Sequence, residues 1–262
     1  MPELPEVEMY RREFEKKAQG KTIQHLSAPA SRLMKSSEDK LRKAFQQQQF
    51  VHSRRIGKQL LLEAANHKWL AVHFGMTGKF KYQKTDKTPP KYIKMAMEFT
   101  DGTSAYYVNS RGFGEINLVE DEKDFIKKKK LGIDAMEISQ QDFIQLLQKH
   151  PKANWKPVLM NQSIIAGLGN VYVDELLFRC RLHPLSPVAA VSEKQLGKMY
   201  DEMRYLLQAL LDSGAKRKKM SDTWLVHARK MGAECPRHNG TIEMITVNGR
   251  STYFCPVCQK QG

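Results

Sequence analysis

The first residues of the chain, MPELPE, could carry out covalent chemistry. Removal of Met1 would leave Pro2 with a free secondary amine, and because the pKa of an α-amino group is about 7.7–8.0, a useful fraction is unprotonated at neutral pH. A secondary amine that attacks a sugar anomeric carbon forms a cationic iminium, which can accept electrons in a later elimination. Glu3 is adjacent and Glu6 follows one helical turn later, so both carboxylates could transfer protons there. The same residues also suit ordinary helix initiation.

A second group of chemically capable residues lies near the other end of the chain. Cys235 and His238 form a C-x-x-H pair, Cys255 and Cys258 form a C-x-x-C pair, and sixteen residues separate the two pairs. Together with the hairpin signal VNGR between them, these pairs predict a zinc ribbon with one Zn2+ held by three thiolates and one imidazole. Because all four ligands belong to the protein, we expect the zinc to be structural and to fold the hairpin.

The charge of the chain points to a polyanionic partner. The sequence has 262 residues with 43 Lys and Arg against 28 Asp and Glu, which gives a formal net charge of +15. Arg250 follows the predicted hairpin turn, where its guanidinium fork suits a phosphate, although an ordinary exposed arginine fits equally well. No apolar run approaches the roughly 18 residues of a membrane span, and no secretory signal is visible. We therefore expect a cytoplasmic protein that binds nucleic acid.

The elements that must position these groups follow one another along the chain. Apolar residues recur at helical spacing up to Gly20, and residues 22–118 consist mainly of short β-type runs separated by turns. The stretch 139–214 has a helical pattern interrupted by prolines and glycines. These patterns predict an α+β protein, with a helix and antiparallel β domain at 1–130, a linker at 131–149, a helical domain at 150–222 and a zinc hairpin at 223–262.

Six separated islands, in order, make the chain resemble the formamidopyrimidine-DNA glycosylase and endonuclease VIII family of base-excision repair enzymes. They are MPELPEVE, RRIGKQLLLE, HFGMTG, SRGFGE, NQSIIAGLGNVYVDELLF and GRSTYFCPVCQ. The resemblance implies an N-terminal β-sandwich with flanking helices, a helix-two-turn-helix domain and a zinc finger, which act on damaged duplex DNA as a monomer associated with the bacterial nucleoid. It also implies a bifunctional DNA glycosylase and AP lyase that excises oxidised or ring-opened bases and cleaves the strand by β/δ-elimination.

The resemblance also implies roles for the residues at the catalytic end of the chain. Pro2 would be the nucleophile that displaces the damaged base and forms the Schiff base. Glu3 would act as the acid and base at the sugar ring, with support from Glu6. Lys58 matches a lysine of the family that lies near the lesion phosphates.

Further residues match DNA contacts of the family. Met76, Arg111 and Phe113 resemble a trio that fills the gap left by the flipped nucleotide, as intercalating wedges do. Asn170 would bind a backbone phosphate at a helix N-terminus, and Arg250 would hold the phosphates beside the lesion. From the residue types alone, Met76 and Phe113 could instead be core residues and Asn170 a helix cap.

Two features depart from the family pattern. His238 stands where most relatives have a fourth zinc cysteine, and imidazole is a normal zinc ligand. The segment 214–235 is shorter than the stretch that covers the everted base in relatives that excise oxidised purines, whereas the trio is of the formamidopyrimidine type. A purine with an opened imidazole ring and an oxidised pyrimidine both stay open as substrates.

Two other classes of protein share part of this pattern. A catalytically silent DNA-binding paralogue would recognise abasic, bent or gapped DNA, and a zinc-ribbon RNA-binding protein would share the charge and the metal. Binding alone would not require Pro2, Glu3, Glu6 and Lys58 together, so this combination favours the enzyme.

Overall fold

The computed structural model describes residues 1–261 and divides the chain into two compact units, Met1–Lys129 and Lys130 onward. The elements of the first unit, in chain order, are α1 (Leu4–Lys17), β1 (Ile23–Ser27), α2 (Glu38–Phe45), β2 (Phe50–Ile56), β3 (Gln59–Ala64), β4 (Trp69–His73), β5 (Lys79–Lys84), β6 (Ile93–Phe99), β7 (Thr103–Val108), β8 (Glu115–Val119) and α3 (Glu122–Lys128).

Two four-stranded sheets, with strand orders β1-β6-β7-β5 and β2-β3-β4-β8, form the body of the first unit. All paired strands are antiparallel. Strand β6 alternates buried and more exposed side chains, whereas β3, β4 and β7 are buried along most of their length. Buried apolar residues of both sheets belong to one hydrophobic core. The expected α+β architecture with an antiparallel N-terminal domain is confirmed.

Both helices that flank the sheets early in the chain form where their capping residues predict. Helix α1 buries Val7 and Phe14 in the shared core, and the chain turns away at Gly20, whose φ is +77°. Helix α2 begins after Ser37, whose hydroxyl accepts a hydrogen bond from the Lys40 amide at 3.4 Å. Local capping therefore sets the ends of the helices, and burial of one face holds them against the sheets.

The second unit is mainly helical and ends in a hairpin. Its elements are β9 (Ile133–Asp134), α4 (Gln140–Gln148), α5 (Trp155–Met160), β10 (Ile165–Ala166), α6 (Asn170–Arg179), α7 (Glu193–Asp212), β11 (Glu243–Val247) and β12 (Arg250–Phe254). The segment 131–149, which we expected to be a linker, contains β9 and α4. Phe143 and Leu147, four residues apart on α4, are fully buried, so this segment packs as part of the unit.

The turn between β11 and β12 has the geometry that its sequence predicts. Val247 pairs with Arg250, and the two residues between them, Asn248 and Gly249, have φ values of +48° and +70°. Two positive φ angles define a type I′ turn, which Asn-Gly favours.

None of the helices formed by residues 1–261 is long and apolar enough to cross a membrane.

Candidate functional site

Pro2 lies directly before helix α1, and Glu3 is the N-cap of that helix. Glu3 is 1% exposed, whereas Pro2 is half-buried. A capping box joins Glu3 to Glu6, and Glu6 Oε2 accepts a hydrogen bond from the Glu3 backbone N–H at 3.0 Å. The capping box therefore holds a buried carboxylate next to the proline and uses Glu6 to fix the backbone between them. Helix initiation and the candidate chemistry share the same residues.

A chain of contacts joins helix α1 to the turn that carries Lys58. Glu8 is buried and accepts hydrogen bonds from Arg11 at 2.8 Å and from Arg12 at 2.9 Å. Burial would raise the pKa of Glu8, but the two arginines outweigh it and hold the pKa below its ordinary value. Arg55 Nε lies 3.4 Å from Glu8 Oε2, and Arg55 Nη1 donates to the Gly57 carbonyl at 3.1 Å, directly before Lys58.

The segments that carry four of the candidate residues leave the same edge of one sheet. Across this sheet Gln59 pairs with His73, and His73 pairs with Glu115. The turn before Gln59 carries Lys58, the turn after His73 carries Met76, and the loop before Glu115 carries Arg111 and Phe113. The structure therefore brings together segments that lie far apart in the sequence.

His73, which sequence reasoning did not single out, lies at this edge. Burial lowers the pKa of His73, and the nearby charge of Lys58 lowers it further. A neutral imidazole beside Lys58 can exchange a proton or donate to an anion. The residue belongs to the HFGMTG island, but only the strand register reveals its neighbours.

The turn that carries Met76 and the loop that carries Phe113 pack without room for side chains between them. A Cβ at Gly75 would lie 2.0 Å from the Phe113 carbonyl oxygen, and one at Gly114 would lie 2.4 Å from the His73 oxygen. Both glycines also have positive φ. The glycines of the HFGMTG and SRGFGE islands therefore allow a close backbone contact between two loops.

The buried side chain of Asn109 organises the loop from inside. Its Nδ2 donates to the carbonyls of Phe113 and Phe74, and its Oδ1 accepts from the Gly112 amide and the Thr77 hydroxyl, both at 2.9 Å. These bonds satisfy a buried amide and fix the backbone of Gly112 and Phe113, directly after Arg111.

Met76 and Phe113 are exposed to solvent, by 40% and 45%. The alternative in which they are core residues of strands is therefore wrong. Arg111 is also exposed, and its Cζ lies 5.5 Å from the centre of the Phe113 ring. Two exposed apolar side chains beside a cation at one sheet edge are suited to contact with unstacked bases.

In the second unit the structure brings Asn170 next to the strand that begins with Arg250. Asn170 is the first residue of α6, and its Nδ2 donates to the Ser251 carbonyl at 2.9 Å. Gly169, and not Asn170, is the N-cap of this helix. The alternative in which Asn170 only caps the helix is therefore wrong. Arg250 is exposed at the first position of β12. The hairpin tip and the N-terminus of α6 therefore belong to one surface.

A buried carboxylate that sequence reasoning missed joins the helix to the hairpin. Asp174 of α6 is fully buried and forms ion pairs with the buried Lys156 and with Arg229, whose Nη2 lies 2.6 Å away. It also accepts from the Tyr253 amide of β12 at 3.2 Å. Lys156 Nζ donates in turn to the Asn170 carbonyl at 2.8 Å. Asp174 thus positions both ends of the surface described above.

Replacing Asp174 by asparagine is expected to lower the free energy of unfolding of the second unit by about 3 kcal/mol, because the buried Lys156 and the partly buried Arg229 lose their shared counter-charge. Urea titration monitored by circular dichroism measures this loss. The matched control is Asp201→Asn, because Asp201 is an exposed residue of α7 that accepts only a bond from Gln140 among the hydrogen bonds of the described residues. Equal stability of the two variants would contradict the role of Asp174.

The three cysteines of the C-terminal segment converge on one point. The sulfur atoms of Cys235, Cys255 and Cys258 lie within 4.8 Å of one another, and those of Cys235 and Cys258 are 3.8 Å apart. Zinc–sulfur bonds of about 2.3 Å at a tetrahedral angle place two sulfurs about 3.8 Å apart, whereas a disulfide would need about 2 Å. The thiols therefore fit a structural zinc, as the sequence predicts.

The surroundings of the cysteines also fit a metal knuckle. Cys255 is fully buried, and the Cys235 amide donates to the Gly240 carbonyl at 2.7 Å. A Cβ at Gly240 would lie 2.9 Å from the Cys255 sulfur, so only glycine leaves room for the thiolate. His238 lies exposed on the same turn, and the structure does not bring its ring nitrogens into the cluster of three thiols.

Comparison with known protein families matches three successive segments of the chain. Family models match residues 1–116 as the N-terminal domain of formamidopyrimidine-DNA glycosylase, 131–222 as its H2TH domain, and 234–261 as the zinc finger found in FPG and IleRS. A two-sheet unit, a helical unit with an H2TH match and a zinc-finger hairpin define the class of zinc-finger DNA glycosylases. The chain belongs to the formamidopyrimidine-DNA glycosylase family.

Individual relatives match over the full length. The formamidopyrimidine-DNA glycosylase of Latilactobacillus sakei is 33% identical and covers 99% of this chain and 98% of its own length. That of Lactococcus lactis subsp. cremoris is 32% identical over the whole of both chains. The crystal structure of the Lactococcus lactis enzyme bound to DNA with an AP site superposes with a TM-score of 0.90 at 31% identity and covers 99% of this chain and 100% of that one. The same enzyme bound to FAPY-dG DNA has a TM-score of 0.88 at 30% identity.

Proposed function

We propose that this protein is a bifunctional DNA glycosylase and AP lyase of base-excision repair that acts on duplex DNA with ring-opened or oxidised bases and with abasic sites. The observation that carries the proposal is the buried carboxylate of Glu3 directly beside Pro2, held by the capping box with Glu6. The full-length similarity to enzymes crystallised with FAPY-dG and AP-site DNA supports this substrate class.

The N-terminal residues perform the covalent steps. The Pro2 nitrogen forms a bond to C1′ of the damaged nucleotide, and the glycosidic bond breaks with its electron pair leaving on the base, which takes up a proton. The bound nitrogen loses its proton, which balances the one that the base takes up, and its electron pair then expels the ring oxygen. The ring oxygen takes a proton from Glu3, so the sugar opens and a Pro2 iminium forms. Loss of a C2′ proton then expels the 3′ phosphate, and a second elimination expels the 5′ phosphate. Glu6 supports Glu3 through the backbone hydrogen bond at 3.0 Å.

Each unit supplies DNA contacts in this proposal. Lys58 binds phosphates near the lesion, and Met76, Arg111 and Phe113 fill the space that the flipped nucleotide vacates. Asn170 and Arg250 bind backbone phosphates, supported by the N-terminal dipole of α6. A net charge of +15 further predicts that affinity falls steeply with salt.

The remaining assignments follow from the same proposal. The protein acts as a monomer in the bacterial cytoplasm, associated with the nucleoid through DNA. Residues 1–130 carry the chemistry, 150–222 grip the backbone and 223–262 form the zinc hairpin. His238 completes the zinc site as the fourth ligand beside Cys235, Cys255 and Cys258. The base preference stays open, because pocket selectivity depends on side chains that face the everted base.

Borohydride trapping on duplex DNA with an abasic site tests the proposal. The protein is used untagged, after mass spectrometry shows that it begins at Pro2. We expect a covalent adduct that peptide mapping assigns to Pro2, because reduction converts the iminium into a stable amine. An undamaged duplex of the same sequence is the control. Tight binding to the abasic duplex without an adduct would favour the catalytically silent paralogue instead.

A further inference from the structure

Arg32, which lies between β1 and α2 and outside every sequence motif discussed above, grips the loop that carries Phe113. Its Nη2 donates to the Arg111 carbonyl at 2.7 Å and its Nε donates to the Gly112 carbonyl at 2.9 Å. Its Cζ lies 4.4 Å from the centre of the Phe113 ring. One guanidinium therefore binds two successive carbonyls and covers the aromatic ring that follows them.

The backbone on which Arg32 stands is itself anchored beside this loop. The next residue, Leu33, is fully buried, and its carbonyl accepts from the Ile116 amide at 2.9 Å. The Lys35 amide donates to the Ile116 carbonyl at 2.8 Å. The segment thus runs along the start of β8, directly after the loop. The backbone next to Arg32 is therefore held in place, and the Arg32 side chain extends from it to the Phe113 ring.

The loop needs an external support of this kind. Gly112 and Gly114 have φ values of +62° and +127°, and glycines give a loop conformational freedom that must be removed to hold one shape. The Phe113 side chain is 45% exposed, so burial in a core does not fix its orientation. Asn109 fixes the backbone through the Phe113 carbonyl, and the Arg32 guanidinium contacts the Phe113 ring itself.

We propose that Arg32 is a positioning residue that holds Phe113 in the orientation required for insertion into DNA, by clamping the carbonyls of Arg111 and Gly112 and stacking on the ring. The inference rests on the proposed function, because it assumes that Phe113 enters the lesion duplex. The role requires a planar group with donors in a fixed fork. Lysine keeps the charge but provides neither the fork nor the flat face.

The decisive variant is Arg32→Lys, because it preserves the charge that governs binding to any duplex. We expect the preference for an abasic analogue over undamaged duplex, expressed as the ratio of the two Kd values, to fall about fivefold. The Kd for undamaged duplex should stay within about twofold of the wild type. Arg42→Lys, the same change on α2 of the same unit, is the matched control and should leave both values unchanged.

Two further measurements separate a role through Phe113 from a general structural role. The fluorescence of 2-aminopurine placed next to the abasic analogue reports insertion of the wedge, and its change on binding should shrink in Arg32→Lys. In a Phe113→Ala background, Arg32→Lys should cause no additional loss of lesion preference, because its target is gone. Thermal unfolding should show equal midpoints for Arg32→Lys and Arg42→Lys.

Three outcomes would overturn the inference. They are an unchanged lesion preference in Arg32→Lys, an equal loss on damaged and undamaged duplex, and an equal loss with and without Phe113. Failure of the proposed function is distinguishable, since the wild type itself would then show neither lesion preference nor a borohydride adduct. A wild type that shows both, with Arg32→Lys indistinguishable from it, would refute only the role of Arg32.

Discussion

Protein with one extra glycine ahead of Pro2 is expected to form no borohydride-stable adduct with abasic duplex DNA. The extension turns the proline nitrogen into a tertiary amide, whose lone pair is delocalised into the carbonyl and cannot attack C1′. We expect the rate of adduct formation to fall at least about a thousandfold relative to protein that begins at Pro2. Strand cleavage measured on gels should fall in parallel, since both β- and δ-elimination proceed from the iminium.

The extension is a sharper test than a substitution because it leaves every side chain in place. Glu3 remains buried as the helix N-cap, so DNA affinity should stay within about threefold. A glycine added at the opposite terminus is the matched control and should leave the adduct intact. Pro2→Gly, which keeps an amine but loses the secondary amine, should abolish or severely slow cleavage. An adduct that maps to Lys58 in the extended protein would assign the nucleophile to that lysine.

The features that sequence reasoning predicted well are those governed by local chemistry. Helix α1 ends before Gly20 and Asn248-Gly249 forms the I′ turn, because positive φ angles at such positions depend on a few adjacent residues. The spacing of the cysteines likewise predicted their convergence, since each pair sits on one tight turn.

The features that sequence reasoning missed depend on contacts between distant segments. Arg55 links Glu8 to the turn of Lys58 across nearly fifty residues, and no spacing rule indicates that contact. Asp174 lies within the segment NQSIIAGLGNVYVDELLF, but nothing in that sequence shows that it is the buried partner of two cations. Segment 131–149, which we expected to be a linker, contains α4, and only the fold shows that its apolar residues Phe143 and Leu147 are buried.

The candidate site likewise combines features that the local sequence predicts with features that only the contacts of the fold reveal. The residue types of MPELPE indicated the chemistry, but burial of Glu3 and its link to Glu6 came from the fold. Met76 and Phe113 could be core or surface from their sequence alone, because apolar residues occur in both places. Only the register of the sheet shows that their loops leave one edge, where both side chains meet solvent.

Replacing Cys255 by serine is expected to remove the bound zinc and unfold the hairpin that carries Arg250. Structural zinc sites have apparent binding free energies of about 10–16 kcal/mol, and this energy contributes to folding because the site does not exist in the unfolded chain. Cys255 is fully buried, so a serine hydroxyl there would replace a thiolate without providing an equivalent ligand. Zinc content after dialysis and affinity for abasic duplex should fall together. Metal-free protein with full DNA affinity would contradict the site.

Two substitutions at His238 test whether this residue is the fourth zinc ligand, because one keeps a ligand at the position and the other removes it. His238→Cys restores four thiolates and should retain one zinc, whereas His238→Ala should weaken zinc binding by at least about tenfold. Replacement of zinc by cobalt distinguishes the ligand sets, since sulfur-to-metal charge-transfer absorption grows with each thiolate. The wild type should give the spectrum of three sulfurs and one nitrogen. If His238→Ala binds zinc as tightly as the wild type, His238 is not the fourth ligand. A solvent molecule or another side chain would then complete the coordination of the three buried and half-buried cysteines.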